Sequence, residues 1–125
     1  LESVKREEAI AQMEQLETLG AIHTIWTMLT PFIGAICNCN VRDCLAMRTL
    51  TSIHIETMAK AEYAAAVDEG TCTGCGNCAS HCQFEAIGST QESGRITARI
   101  NTFKCFGCGL CRKVCDAGAI SLRRR

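Results

Sequence analysis

The first twenty residues alternate charged and apolar side chains with the spacing of a helix. Glutamates lie opposite an apolar stripe whose members are three or four positions apart, so that they share one helix face. The stripe consists of Ala9, Ile10, Met13 and Leu16. Ser3 is suited to the N-cap, and Gly20 to the position just after the last turn. The pattern therefore predicts one amphipathic helix over residues 3–19.

The next section has no charged residue between Glu17 and Arg42, and its periodicity fits two alternatives. Residues 22–26 alternate apolar and polar side chains, which predicts a strand before Pro31. Alternatively, apolar residues three and four positions apart would form one face of a helix. Because Pro31 would interrupt that helix, we prefer the strand. Because the section is also rich in threonine, no membrane span is expected. Residues 45–58 then have a helical pattern.

The third section, residues 68–122, is an internal duplication. Four cysteines recur 33 positions later, together with glycines and an Ala-Ile pair at the same offset. The two sets are Cys72, Cys75, Cys78 and Cys82, and Cys105, Cys108, Cys111 and Cys115. Between the copies, residues 88–94 are polar and predict a turn, whereas residues 95–100 alternate like a short strand. The sequence therefore predicts two copies of one small unit.

Composition changes this picture mainly through cysteine, of which the 125 residues include eleven. An odd number in short repeats fits metal ligation better than a disulfide framework, and it predicts a reducing compartment, the cytoplasm. Aromatic residues make up 5% of the chain, so bound inorganic groups would supply cohesion that a thin core lacks. Residues 1–68 have a net charge of −4 and residues 69–125 of +4. Thiolate ligands would cancel much of the positive charge.

Each set of four cysteines has the spacing C-x2-C-x2-C-x3-C. Three thiolates three positions apart can surround one face of an iron–sulfur cube if the chain loops tightly, and the intervening glycines permit such a loop. Backbone N–H groups of the loop can then point at the sulfides. Zinc, the main alternative, is usually bound by two separated C-x2-C pairs instead of three cysteines in one loop. Two motifs in tandem indicate two [4Fe–4S] clusters.

With the motifs CTGCGNCASHC and CFGCGLCRKVC and their trailing Ala-Ile pairs, residues 68–122 resemble the bacterial-type 2[4Fe–4S] ferredoxin family. The resemblance implies an α+β fold, a pseudo-two-fold βαββαβ dicluster domain, and low-potential electron transfer. It also implies crossed ligation, in which the fourth cysteine of each motif binds the other cluster. One cluster would be held by Cys72, Cys75, Cys78 and Cys115, and the other by Cys105, Cys108, Cys111 and Cys82. The family usually has proline after the fourth cysteine, where this chain has Gln83 and Asp116.

We divide the chain into an N-terminal extension of helical and mixed structure, residues 1–67, and a ferredoxin-like domain, residues 68–125. Residues 30–44 resemble a module that precedes ferredoxin domains in larger iron–sulfur oxidoreductase proteins. This stretch contains three further cysteines, Cys37, Cys39 and Cys44. They have two interpretations: a third metal site, holding a cluster or zinc, or buried or redox-active thiols. The fourth ligand of a metal would be Asp43, His23, His54 or a residue of a partner.

The expected function is single-electron transfer by a non-catalytic subunit or domain of an oxidoreductase complex. Its partners would be a redox protein or the other subunits, with no nucleic acid. One alternative is an iron–sulfur regulatory or nucleic-acid-binding protein, which the basic tail at residues 123–125 favours. Two other interpretations of this tail are that it is simply solvated and that it docks to an acidic surface of a partner. A second alternative is an enzyme with its active site at the third cysteine group.

Overall fold

A computed structural model of the protein describes residues 3–29 and 31–125, which alternate short helices and strands. The elements of the first half are α1 (Arg6–Thr18), β1 (Ile22–Leu29), β2 (Phe32–Cys39) and α2 (Leu45–Ile53). Those of the second half are β3 (Tyr63–Val67), α3 (Asn77–Ser80), β4 (Ile87–Glu92), β5 (Arg95–Ile100), α4 (Leu110–Lys113) and β6 (Ile120–Arg124). No helix in these described ranges is long and apolar enough to cross a bilayer.

Helix α1 confirms that this segment is helical but not that it is amphipathic, since none of its residues is buried. It also begins later than expected. Its N-cap is Lys5, so the prediction of Ser3 is wrong. Lys5 has an extended backbone, and its carbonyl accepts the first helical hydrogen bond, from Ala9 N–H at 2.9 Å. Gly20 follows the helix at φ +84°, as a terminating glycine does. The predicted stripe is only half-buried, and Ile10 is 45% exposed.

Strands β1 and β2 form an antiparallel hairpin, which confirms the strand preferred for residues 22–26. Trp26 is half-buried there, with its indole N–H donating to Thr24 Oγ1 at 3.0 Å. Towards the turn the hairpin presents large apolar side chains to solvent, with Met28 84% and Phe32 70% exposed. A two-stranded ribbon with so much exposed apolar surface is marginally stable alone and typical of an interaction surface.

Helix α2 is shorter than predicted, because it ends before residue 58. His54 adopts a left-handed backbone at φ +56°, and Ile55 N–H then donates to the carbonyl of Thr49 at 3.4 Å. This reversal terminates the helix after Ile53, so the helical prediction for residues 54–58 is wrong. Met47, on the inner face of α2, is fully buried.

The second half has the order β-α-β-β-α-β, with β3 paired antiparallel to β6 and β4 to β5. The turn predicted over residues 88–94 is wrong for residues 88–92, which form β4. Only Ser93 and Gly94 make the reversal, both with positive φ, as a two-residue hairpin turn requires. Polar side chains in β4 are compatible with a strand because one face of the hairpin contacts solvent.

A small apolar cluster joins the extension to the second half. Its buried members are Ile22, Met47, Phe84 and Leu110. Phe84 also stacks on Phe106, with ring centroids 4.4 Å apart. The division at residues 67 and 68 stays a prediction, and β3, which it leaves in the extension, pairs with the last strand of the chain.

Candidate metal centres

The first candidate centre, site 1, is a cavity whose wall combines cysteines of both motifs. These are Cys72, Cys75, Cys78 and Cys115. Three of them lie in α3 and the loop before it, and the fourth arrives from the turn after α4. Burial raises the pKa of the Cys78 thiol, and the neighbouring Cys115 and Cys72 raise it further. Cys75 is the exposed member, so site 1 opens to solvent there.

The second centre, site 2, is a cavity with the reciprocal composition. Its cysteines are Cys82, Cys105, Cys108 and Cys111. Cys82 comes from the first motif, in the turn after α3, and the others come from α4 and the loop before it. Burial, followed by the charges of Cys108, Cys105 and Cys82, raises the pKa of Cys111 to about 12. Four sulfur atoms therefore converge in a dehydrated space, where thiolates need a compensating positive charge.

Both sites have the donors and surroundings that a [4Fe–4S] cluster requires. Backbone N–H groups point at sulfur, from Ala98 to Cys72 Sγ at 3.5 Å and from Ala86 to Cys82 Sγ at 3.3 Å. Across the described residues, no group of three or more His, Cys, Asp or Glu side chains is arranged to hold a metal ion. Each cavity wall contains four cysteines, and four thiolates are the ligand set that a [4Fe–4S] cluster takes.

An arginine holds the backbone of the first motif at its first cysteine. The Arg95 guanidinium, at the start of β5, donates to the carbonyl oxygens of Gly70 and Cys72, at 2.8 and 2.9 Å. Its positive charge therefore lies beside site 1. The sequence does not reveal this contact, because its acceptors are backbone carbonyls, which every residue type has.

Arg125 has the equivalent role in the second motif. It donates through Nε to the carbonyl of Ala61 at 3.0 Å, through Nη1 to Thr102 at 2.9 Å, and through Nη2 to Cys105. The prediction that residues 123–125 form a solvated or docking tail is therefore wrong for Arg125. This guanidinium is engaged within the chain, because three loop carbonyls converge on it.

The third cysteine group lies at the end of β2 and the start of α2. Burial raises the pKa of the Cys39 thiol, followed by the charges of Cys44 and Cys37, a hydrogen bond to Cys44, and the charge of Asp43. The charges of Cys37, Cys44 and Asp43 thus act on the Cys39 thiol. Whether they bind a cluster or zinc stays a prediction.

The predicted histidine ligands make other contacts. His23 Nδ1 is hydrogen-bonded to Asn38 Oδ1 at 2.6 Å, and its Nε2 is 3.6 Å from Glu17 Oε1. His54 terminates α2. His81, which is not among the predicted ligands, lies between two cysteines of the first motif, is exposed and contacts the carbonyl of Asn77 at 2.9 Å.

Gln83 connects the extension to site 2, at a position where the ferredoxin resemblance implies proline. Its Oε1 accepts from Val41 N–H at 2.8 Å, and its Nε2 donates to the carbonyl of Gly20 at 2.6 Å. The contacts reach back 42 and 63 positions. A proline could make neither bond. The departure from the family pattern therefore has a structural reason, which is the docking of the extension beside Cys82.

We expect Gln83→Leu to loosen the extension while leaving sites 1 and 2 formed. Leucine has a similar size but leaves Val41 N–H and the Gly20 carbonyl without partners, a loss of about 2 kcal/mol. Hydrogen exchange followed by mass spectrometry would show roughly thirty-fold faster exchange in β1 and β2. Asp116→Leu, at the equivalent exposed position of the second motif, is the control with little change expected. Equal exchange in both variants would contradict this role.

The comparisons with known proteins agree with the two cysteine-lined cavities. A family model described as "4Fe-4S dicluster domain" matches residues 65–122. No curated protein matches the chain. The matched residues include all eight cysteines of sites 1 and 2. Residues 65–122, a little under half of the chain, are therefore similar to the 4Fe-4S dicluster domain family.

Proposed function

We propose that the protein is a one-electron carrier with two [4Fe–4S] clusters. One would be held in site 1 by Cys72, Cys75, Cys78 and Cys115, and the other in site 2 by Cys105, Cys108, Cys111 and Cys82. The observation that supports this most directly is the reciprocal lining of the two cavities, in which each motif contributes three cysteines to one and one to the other. An approximate two-fold relation between the halves is part of the proposal.

The side chains around the sites set the conditions for electron transfer. When bound, the clusters supply one-electron chemistry. The apolar walls exclude water, and the N–H groups directed at Cys72 and Cys82 stabilise negative charge on sulfur. Arg95 and Arg125 add positive charge beside the first cysteine of each motif, which favours the reduced state. Within this scheme the chain needs no general base or nucleophile, so we propose that it is not itself an enzyme.

The partner would be a redox protein or the other subunits of an oxidoreductase complex. Two surfaces support this. Site 1 opens to solvent at Cys75, where a partner can approach the cluster closely, and the β1–β2 hairpin presents apolar side chains at its turn. The nucleic-acid alternative loses support, because Arg125 is engaged with loop carbonyls. Since the ligands must stay reduced, we propose the cytoplasm as the compartment.

Iron and acid-labile sulfide analysis of anaerobically purified protein tests the proposal. We expect about eight irons and eight sulfides per chain, and the EPR spectrum of reduced [4Fe–4S] clusters after dithionite treatment. A colourless protein that contains zinc and no sulfide would refute it. About twelve irons would support the predicted third cluster at Cys37, Cys39 and Cys44. Retention on DNA that weakens with salt would instead favour the regulatory alternative.

A further inference from the structure

The chain makes the same turn before the first cysteine of each motif. In the first motif, the Asp68 carbonyl accepts the N–H of that cysteine at 2.9 Å, and Asp68 Oδ1 accepts the N–H of Gly70 at 3.0 Å. In the second motif, the Asn101 carbonyl accepts the N–H of the first cysteine at 2.9 Å, and Asn101 Oδ1 accepts the N–H of Phe103 at 3.0 Å. Asp68 and Asn101 are separated by the 33 positions of the duplication. They are therefore equivalent residues of two matching turns.

The two turns share their hydrogen bonds but differ in charge. Residues 68–71 contain two carboxylates, whereas residues 101–104 contain one lysine and no carboxylate. Asp68 is ionised at neutral pH, because a bond from the Thr71 hydroxyl to its Oδ2 at 2.7 Å, followed by the bond from the Gly70 N–H, lowers the pKa of its carboxyl. The turn before site 1 is thus negative, and the turn before site 2 is positive.

The cations that contact the two turns increase this difference. Arg95 and Arg125 each donate to the carbonyl of the first cysteine of one motif, so they contribute alike to the two sites. Lys60 adds a positive charge at the second turn, where its Nζ donates to the carbonyl of Phe103. At the first turn, the charge of Arg123 also acts on Asp68, as the smallest of the influences on that carboxyl. The surroundings of site 2 therefore favour added negative charge more than those of site 1.

We propose that Asp68 and Asn101 set the potentials of the two clusters apart, so that the electron of the singly reduced protein resides on the site 2 cluster. The inference deepens the proposed function and rests on it, since it concerns the same two clusters. A cluster gains one negative charge on reduction, which carboxylates in the adjoining turn oppose and a lysine favours. One electron leaves the site 1 cluster and enters the site 2 cluster, with no bond or proton changed.

The opening of site 1 fits this direction of transfer. Cys75 is exposed, so a donor can approach the site 1 cluster, from which the electron then passes inward. Water at Cys75 also stabilises the reduced state of site 1, which opposes the effect of the turns. That contribution stays constant when only residues of the turns are changed. Variants at Asp68 and Asn101 therefore isolate the effect of the turns.

A potentiometric titration of the intact holoprotein, followed by EPR, tests the inference. It yields two one-electron midpoint potentials, of which we assign the upper one to site 2. Asp68→Asn retains the acceptor for Gly70 but removes a negative charge, so it should raise the lower midpoint alone. Asn101→Asp should lower the upper midpoint alone. Each variant should shift the electron about threefold towards site 1, equivalent to about 30 mV, so that the two midpoints converge.

Two controls separate charge from structure. Glu7→Gln, which removes an exposed carboxylate from the first turn of α1, should move neither midpoint. The shifts in the Asp68 and Asn101 variants should shrink when salt is raised from about 0.01 M to about 1 M, because the screening length falls from about 30 Å to about 3 Å. A distorted turn would not respond to salt in this way. Iron analysis should give about eight irons for every variant.

The results that would overturn the inference differ from those that would refute the proposed function. Midpoints that stay unchanged in both variants, or that move apart, would overturn the order of the two potentials and leave the two clusters intact. If either variant loses iron, Lys104→Gln provides the same test, because it changes the charge of the second turn and should lower the upper midpoint. An unchanged upper midpoint there would also overturn the inference. A wild-type protein without iron would instead refute the proposed function.

Discussion

Cys72→Ala combined with Cys115→Ala is expected to leave one intact [4Fe–4S] cluster, with about four irons, whereas Cys72→Ala combined with Cys82→Ala is expected to leave none. The first pair removes two cysteines that line the same cavity, and the second removes one from each cavity. Both variants lose two thiols, and both lose Cys72. The comparison therefore isolates which fourth cysteine belongs to which cluster.

Iron analysis and the EPR spectrum of the reduced protein measure this difference. The mirror pair uses Cys105→Ala, which should retain an intact cluster when combined with Cys82→Ala and lose both when combined with Cys115→Ala. If each motif instead bound its own cluster with all four of its cysteines, the results within each pair would be reversed. That reversal would refute the crossed ligand sets and leave the number of clusters unchanged.

The sequence predicted the parts of the molecule that depend on local chemistry. The cysteine spacing and its repetition identified the two motifs because a cluster needs ligands from a short loop, and that loop is contiguous in sequence. The strand at residues 22–26 and α1 could likewise be predicted from periodicity. The start of α1 is predicted at Ser3 and not at Lys5, because the Lys5 side chain makes no capping hydrogen bond. The N-cap of α1 therefore cannot be recognised from its residue type.

The parts that could not be predicted depend on contacts between distant residues. Gln83 was visible only as a departure from proline, and its partners Val41 and Gly20 contribute backbone atoms, which every residue type has. Arg125 resembled a solvated tail for the same reason. The polar side chains of β4 predict a turn, because such side chains are typical of both turns and half-exposed strands. Pairing with β5, which settles the choice, is not a local property.

Gly107→Ala is expected to abolish stable loading of site 2, whereas Gly109→Ala two positions later is tolerated. Both glycines have a left-handed backbone, at φ +78° and +84°, so alanine introduces a similar strain of about 1–2 kcal/mol at each. A Cβ at Gly107 would also lie 2.1 Å from the carbonyl oxygen of Tyr63, in β3. At Gly109 the nearest atom is Leu122 Cδ1 at 3.7 Å, an ordinary contact.

The difference between the two variants measures the close approach of the cysteine loop to β3. Backbone atoms cannot rotate away as a side chain can, so the Gly107 variant must displace the loop or the strand, at an additional cost of about 3 kcal/mol or more. Iron content and the rate of cluster loss to a chelator are the measurements, with about four irons expected for Gly107→Ala and about eight for Gly109→Ala. In site 1, Gly74 and Gly76 form the same matched pair, because a Cβ at Gly74 would lie 2.4 Å from the carbonyl oxygen of Ile96 and one at Gly76 would contact nothing. If both variants of each pair lost their cluster equally, backbone strain, and not contact with the strand, would be the reason that glycine is necessary.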